Sequence, residues 1–183
     1  QQRVVADIVA GPRGEVRGPF IPLLHNPKAT DAIQRLGSFL RFDGNLPGAL
    51  REMVILTVAR HWSAQYEWFA HHRIALDEGL DPAIADAIAE RRTPDFDDPV
   101  LACVYRFVIE LHEKHSVSDA TYAAVEEALG AEQTVELVVL CGHYNTIAMV
   151  LNGFAVEVPG GERPLKRSEE HTSELQSPDH LVC

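Results

Sequence analysis

Glu67 and His71 stand four residues apart in the stretch REMVILTVARHWSAQYEWFAHHRIALDEGL, Arg51–Leu80. On a helix that spacing puts a carboxylate and an imidazole on one face, within contact distance. Ala64, Ile74 and Ala75 flank that face, and Trp68 borders it. Such a pair among small and apolar residues is suited to proton transfer, because burial raises a carboxyl pKa while the neighbouring negative charge favours imidazolium. The same spacing also describes an exposed helix pair worth about 0.2–0.5 kcal/mol, and both readings stay open at this level. Glu52 extends the set. With Ile55, Leu56 and Ala59 one turn on, its carboxylate needs a partner or a proton, unless it faces out near a helix start, where the dipole favours it. His143 and Tyr144, in a long apolar segment, either line a pocket or are satisfied core groups.

Other chemistries find little support. The three cysteines, Cys103, Cys141 and Cys183, form no C-x-x-C pair, which reads as a reduced, cytoplasmic chain. Nine histidines invite a metal search, but H-E-x-x-H and the E-x-x-H repeat of di-iron bundles are missing. The ELHEKH stretch that carries His112 and His115 reads as a solvated helix end. No glycine-rich phosphate loop, nucleophile elbow or basic aromatic patch occurs, so neither a metal nor another cofactor is expected. The formal charge of −11 disfavours nucleic acid or an anionic membrane as partner and leaves a small molecule as the expected ligand. The longest apolar stretch, Val135–Val156, is interrupted by Glu136, His143, Asn145 and Asn152, as suits a core helix better than a membrane span.

The elements that must position these residues are helices. Residues 1–24 are read as an extended Gly/Pro-rich arm that packs Phe20, Ile21, Leu23 and Leu24 onto the body. Residues 25–166 then form a single compact all-α domain of about seven helices. Asn26-Pro27 starts a helix to about Phe42, and Pro47 a second, buried all round, to His61. Ser63 is expected to cap a third, which Gly79 ends. Asp81-Pro82 opens a fourth to about Arg92, Val100–His115 is a fifth, and Ser118 or Asp119 caps a sixth that stops at Gly130. The longest runs from Glu132 to Phe154. Residues 167–183 lack caps and apolar periodicity, and RSEEHTSELQS resembles the translation of a sequencing adapter, so this tail is read as non-native.

Arg51–Leu80 resembles the family that contains carboxymuconolactone decarboxylase and alkylhydroperoxidase D. The redox branch of that family carries Glu, eleven residues, Cys, two residues, Cys, three residues, His. Laid on this chain, the pattern puts Glu52 and His71 at its ends and Ala64 and Glu67 at the cysteine positions. The decarboxylase branch looks closer, since it lacks the cysteines and carries a Glu-x-x-x-His like Glu67–His71. Thr134–Phe154 looks like the family's closing helix, and GPFIPLLHNP with YEWFAHH looks like a cysteine-free subgroup. The resemblance implies a helical fold of the alkylhydroperoxidase D type, trimers or hexamers, and a cofactor-free lyase acting on a small carboxylated lactone or related ring acid. In that reading His71 donates the proton, Glu67 orients it, Glu52 relays, and Trp68, His143 and Tyr144 bind substrate. The alternatives are an alkylhydroperoxidase-type antioxidant protein, which would need Cys103 or Cys141, and a non-catalytic ligand-binding module.

Overall fold

A computed structural model describes residues 1–166, so the expected non-native tail, 167–183, lies outside the described residues. The described residues form eight α-helices and no strand: α1 Gln2–Ala10, α2 Phe20–Leu23, α3 Pro27–Ser38, α4 Gly48–His61, α5 Gln65–Asp77, α6 Pro82–Ala89, α7 Pro99–Lys114 and α8 Asp119–Gly153. Local chemistry sets most of the starts. Asn26, Asp81, Asp98 and Ser118 each accept a backbone N–H in the first turn, and proline follows the first three at the first helical position, where its missing N–H is no loss.

The molecule is organised around α4, which packs on α5, α6, α7 and α8. Every residue from Glu52 to Arg60 is buried, and Met53, Val54, Ile55, Leu56 and Val58 are fully so. A helix apolar all round can be stable only when it is surrounded. Each of these side chains contributes roughly 1.5–3 kcal/mol by leaving water. α8 closes the other side with Leu137, Leu140, Tyr144 and Leu151. It is long and apolar enough by composition to cross a bilayer, yet it buries Glu136, His143 and Tyr144 against protein. At Gly130 its backbone leaves helical values, with φ 78° and ψ 168°, so two helices meet there across a kink, at the break expected from the sequence. Glycine takes this conformation without a Cβ penalty.

Three expectations need correction. The N-terminal arm is not extended throughout. Residues 2–10 contain neither Gly nor Pro, and Val4 and Ile8, one turn apart, form the buried stripe of α1 against Phe20. The Gly/Pro-rich chain begins only at Gly11, and within it Ile21 is 60 % exposed and does not pack onto the body. Ser63 does not cap α5. Its φ is 49°, Ala64 precedes the helix instead, and the Ser63 hydroxyl accepts hydrogen bonds from Arg60 and Arg91. The first body helix stops being α-helical at Ser38 and continues as a π turn, Phe39–Asp43, whose wider coil carries Arg41 and Phe42.

Candidate active site

A cavity of about 190 Å³ lies between α5 and α8. Glu67, Ala70, His71 and Ile74 are the face that α5 turns towards it, and His143, Tyr144, Ile147 and Leu151 are the face of α8. The spacing of both sets is that of one helical stripe. The π turn adds Arg41 and Phe42, and the N-terminal segment covers the remaining side with Arg13, Arg17 and Phe20 among others. Gly18 permits that cover. Its φ is +56°, and a Cβ there would lie 2.5 Å from the Tyr66 ring, so only glycine lets the segment press this close to α5.

His71 is buried at the cavity wall, and its Nδ1 lies 2.7 Å from Oε2 of Glu52 on α4. Glu52 is 0 % exposed and sits behind the imidazole, outside the cavity lining. Its Oε1 accepts a hydrogen bond of 3.3 Å from Nε of Arg51. Burial alone would raise the Glu52 carboxyl pKa. The charge and hydrogen bond of His71, aided by Arg41 and Arg51, outweigh burial and hold it below the ordinary value. For His71, burial is the largest influence and lowers the imidazole pKa, Glu52 raises it, Arg41 and Arg13 lower it, and the net shift is downward. The pair is therefore a carboxylate accepting Nδ1–H from a neutral imidazole, which leaves the Nε2 lone pair free.

Glu67 is the opposite case. It is 1 % exposed, and among the described residues neither carboxyl oxygen has a hydrogen-bond partner. Burial raises its pKa well above the ordinary glutamate value. A buried carboxyl with no partner is kept neutral because the ion could not be solvated. Glu67 thus presents a proton to the cavity wall one turn before an imidazole that can accept one. Around them, His143 is held neutral, lowered to about 4 by burial, Arg13 and His71. Burial raises the Tyr144 hydroxyl pKa. The Tyr144 ring stands edge-on to both His71 and His143, with centroids 5.1 and 5.2 Å away.

Of the six residues singled out from sequence, Glu67, His71, His143 and Tyr144 line the cavity and Glu52 supports it from behind. The expected pairing changes. His71 is hydrogen-bonded to Glu52 and has no hydrogen bond to Glu67, because its ring turns across to α4 and away from its own helix. Trp68 does not line the cavity. It is 3 % exposed in the main core and stacks on His72 at 5.8 Å. Ala64 and Ala75 are likewise core residues. The residues that sequence reasoning missed are Arg13, Arg41, Tyr66 and Phe20. The one available signal was arginine in a Gly/Pro-rich arm of an acidic chain. Cys103 and Cys141 are free thiols outside the cavity lining, and burial pushes Cys141 up to about 12. His112, expected at a solvated end, is half-buried and bonded to the Val108 carbonyl and Asn145. The described residues hold no cluster of three or more His, Cys, Asp or Glu suited to a metal.

The all-helical body has the alkylhydroperoxidase D-like fold, as two solved structures show. A protein of unknown function from Agrobacterium tumefaciens, a candidate antioxidant defence protein AhpD, superposes with a TM-score of 0.67 at 16 % identity, covering 78 % of this chain and 99 % of that one. An uncharacterized peroxidase-related protein from Ralstonia eutropha with an alkylhydroperoxidase AhpD core gives 0.69 at 21 % identity, covering 86 % and 83 %. At these identities the likeness is one of fold. Residues 27–109 match the Carboxymuconolactone decarboxylase family, and the chain is similar to carboxymuconolactone decarboxylase/AhpD-like proteins. No curated protein matches the chain.

Proposed function

We propose that the chain is a cofactor-free lyase of the carboxymuconolactone decarboxylase type, acting on a small carboxylated lactone or related ring acid. The observation that carries this reading is the buried, unpartnered Glu67 carboxyl beside His71 on the wall of a cavity of ring-acid size. When such an acid loses CO2, the electron pair of the broken C–C bond stays on the ring carbon and is delocalised towards the lactone carbonyl. One proton must then be delivered to carbon. Glu67 holds that proton at its carboxyl, and its own protonation state favours it over His71 as donor. His71, fixed by Glu52 through Nδ1, keeps Nε2 directed for hydrogen bonding and returns a proton to Glu67 from solvent between turnovers. The apolar walls, Ile74, Ile147 and Leu151, exclude water and so favour loss of the substrate's charge.

The test is a spectrophotometric screen of carboxylated lactones and ring acids with coupled detection of CO2. One of them should turn over with wild type and fail with Glu67→Gln. No CO2 from any member of the panel would count against the lyase. The peroxidase-related names of the two structural relatives favour a second reading, thiol-dependent antioxidant activity. It would have to run through Cys103 or Cys141, and a peroxide-consumption assay on a variant lacking both thiols tests it.

A further inference from the structure

Two arginines face the cavity without an ion-pair partner among the described residues. Arg13 comes from the loop after α1 and Arg41 from the π turn after α3. Seven other cations among the described residues have carboxylate partners. Arg17, which also lines the cavity, lies 3.0 Å from Glu15, and Arg35 and Arg51 have carboxylate partners. Of the acidic groups on the wall, Glu15 is thus taken by Arg17 and burial favours the uncharged form of Glu67, so the carboxylate that Arg41 feels is Glu52 behind His71, with which neither arginine forms an ion pair. Each guanidinium is laid over an aromatic ring. Arg13 sits 4.8 Å from the centroid of Phe20, and Arg41 5.0 Å from that of Phe42. Stacking occupies the guanidinium face and leaves its edge of N–H donors free, the edge that matches a carboxylate. Nε of Arg13 is buried with no acceptor. Gly37 makes room for this arrangement, since a Cβ there would lie 2.7 Å from both Arg13 Nη2 and His143 Nε2. Two like charges held near one another, one of them desolvated, cost free energy until an anion joins them.

We infer that Arg13 and Arg41 form a clamp for one carboxylate of the ligand, with Arg13 of the N-terminal segment setting the preference for anionic over neutral ring compounds. The clamp deepens the reading of the cavity as an acid-binding site and does not depend on turnover there. An arginine fork stabilises a carboxylate. The group it holds is therefore the one that orients the ring, and a substrate that loses CO2 here carries a second carboxylate, whose bond to the ring is the one that breaks.

Benzoate and its uncharged counterpart benzamide are suitable probes, titrated calorimetrically into the full chain. Benzoate should bind wild type at least tenfold more tightly than benzamide. Arg13→Gln and Arg41→Gln should each weaken benzoate by about 10- to 100-fold, as loss of a charge-assisted hydrogen bond would, and leave benzamide unchanged. Arg13→Lys, which keeps the charge and loses the fork, should recover only part of the loss. Circular dichroism would establish that each variant is folded. Equal affinity for the two probes, no binding of benzoate, or benzoate affinity unchanged in both glutamine variants would overturn the clamp. Glu67→Gln separates the two proposals. If no ring acid is turned over but benzoate binding depends on Arg13, the lyase falls and the clamp stands. If turnover depends on Glu67 while the glutamine variants keep benzoate affinity, the clamp falls alone.

Discussion

Nδ1 of His71 lies 2.7 Å from Oε2 of Glu52, so a cavity residue of α5 is oriented by a fully buried residue of α4. The carboxylate is fully buried, and its other oxygen accepts from Arg51. Replacing it changes the tautomer and direction of the ring more than the shape of the cavity. In Glu52→Gln, kcat should fall roughly 10- to 100-fold with KM little changed, in the range typical of outer partners that orient an imidazole. Loss of the carboxylate removes the influence that raises the His71 pKa, so the acidic limb of the pH–rate profile should move to lower pH. Steady-state kinetics across pH measures both effects.

Glu67 makes a stability prediction that is independent of any substrate. Its folded pKa is raised above the ordinary glutamate value of 4.5, so the folded state holds this proton more tightly than the unfolded chain. The stabilisation is complete below the unfolded pKa and is lost as pH rises through the folded pKa. Glu67→Gln keeps the size and removes the ionisation. Its melting temperature should gain on wild type as pH is raised through the neutral and mildly alkaline range. A constant difference from pH 5 to 9 would show that Glu67 is not the group responsible.

Activity should fall in parallel over the same range if Glu67 delivers the proton. A positioned general acid contributes ~100- to 10,000-fold, and Glu67→Gln should lose that much while remaining folded. His71→Ala should also lose far more than His72→Ala, because His72 stacks on Trp68 at the edge of the core and does not line the cavity. Near-equal rates for the two histidine variants would remove His71 from the mechanism.

Thiols should be dispensable. Cys141 is 1 % exposed and its thiol is pushed up to about 12, so its thiolate is scarce at neutral pH. The double variant Cys103→Ser, Cys141→Ser should keep its turnover, and peroxide consumption that disappears in this variant would favour the antioxidant reading.

Glu136 offers a test of the fold. It is buried on α8, and its carboxylate accepts backbone N–H groups of Asn45 at 3.1 and 3.0 Å and Leu46 at 3.3 Å. Those amides belong to the turn between the Arg41 segment and α4. Glu136→Ala should cost about 1–3 kcal/mol, the penalty for orphaning buried donors, measured by urea denaturation.

The sequence made the helices legible wherever an Asx or Ser residue precedes a proline or an apolar period, as at Asn26, Asp81 and Ser118. It also made α4 legible as a buried rod. It misjudged α1, because the Gly and Pro residues after Gly11 obscured the stripe of Val4 and Ile8 before it. Glu67, His71, His143 and Tyr144 could be found because helical spacing is local. The partnership of His71 with Glu52 could not be read in the same way. A ring on one helix can turn towards its own helix or the next, and only the crossing of α4 and α5 decides. Trp68 was misplaced for a related reason, since its angular position beside Glu67 puts it on the core side of the helix. Arg13 and Arg41 lie on irregular backbone, where spacing carries no directional information.

The cover over the cavity lies outside residues 27–109, the stretch that matches the family, whereas Glu52, Glu67 and His71 all lie within it. The residues that move protons and those that greet the ligand from above are thus largely on separate pieces of chain, joined at Asn26. Changes at Arg13 or Phe20 can alter what is admitted without disturbing the packing that fixes His71. Selection, or a protein engineer, could therefore retune the preferred compound by rewriting about ten residues, 11–20, while inheriting the packing that places the acid–base residues, with Arg13 also setting part of the field on His71 and His143.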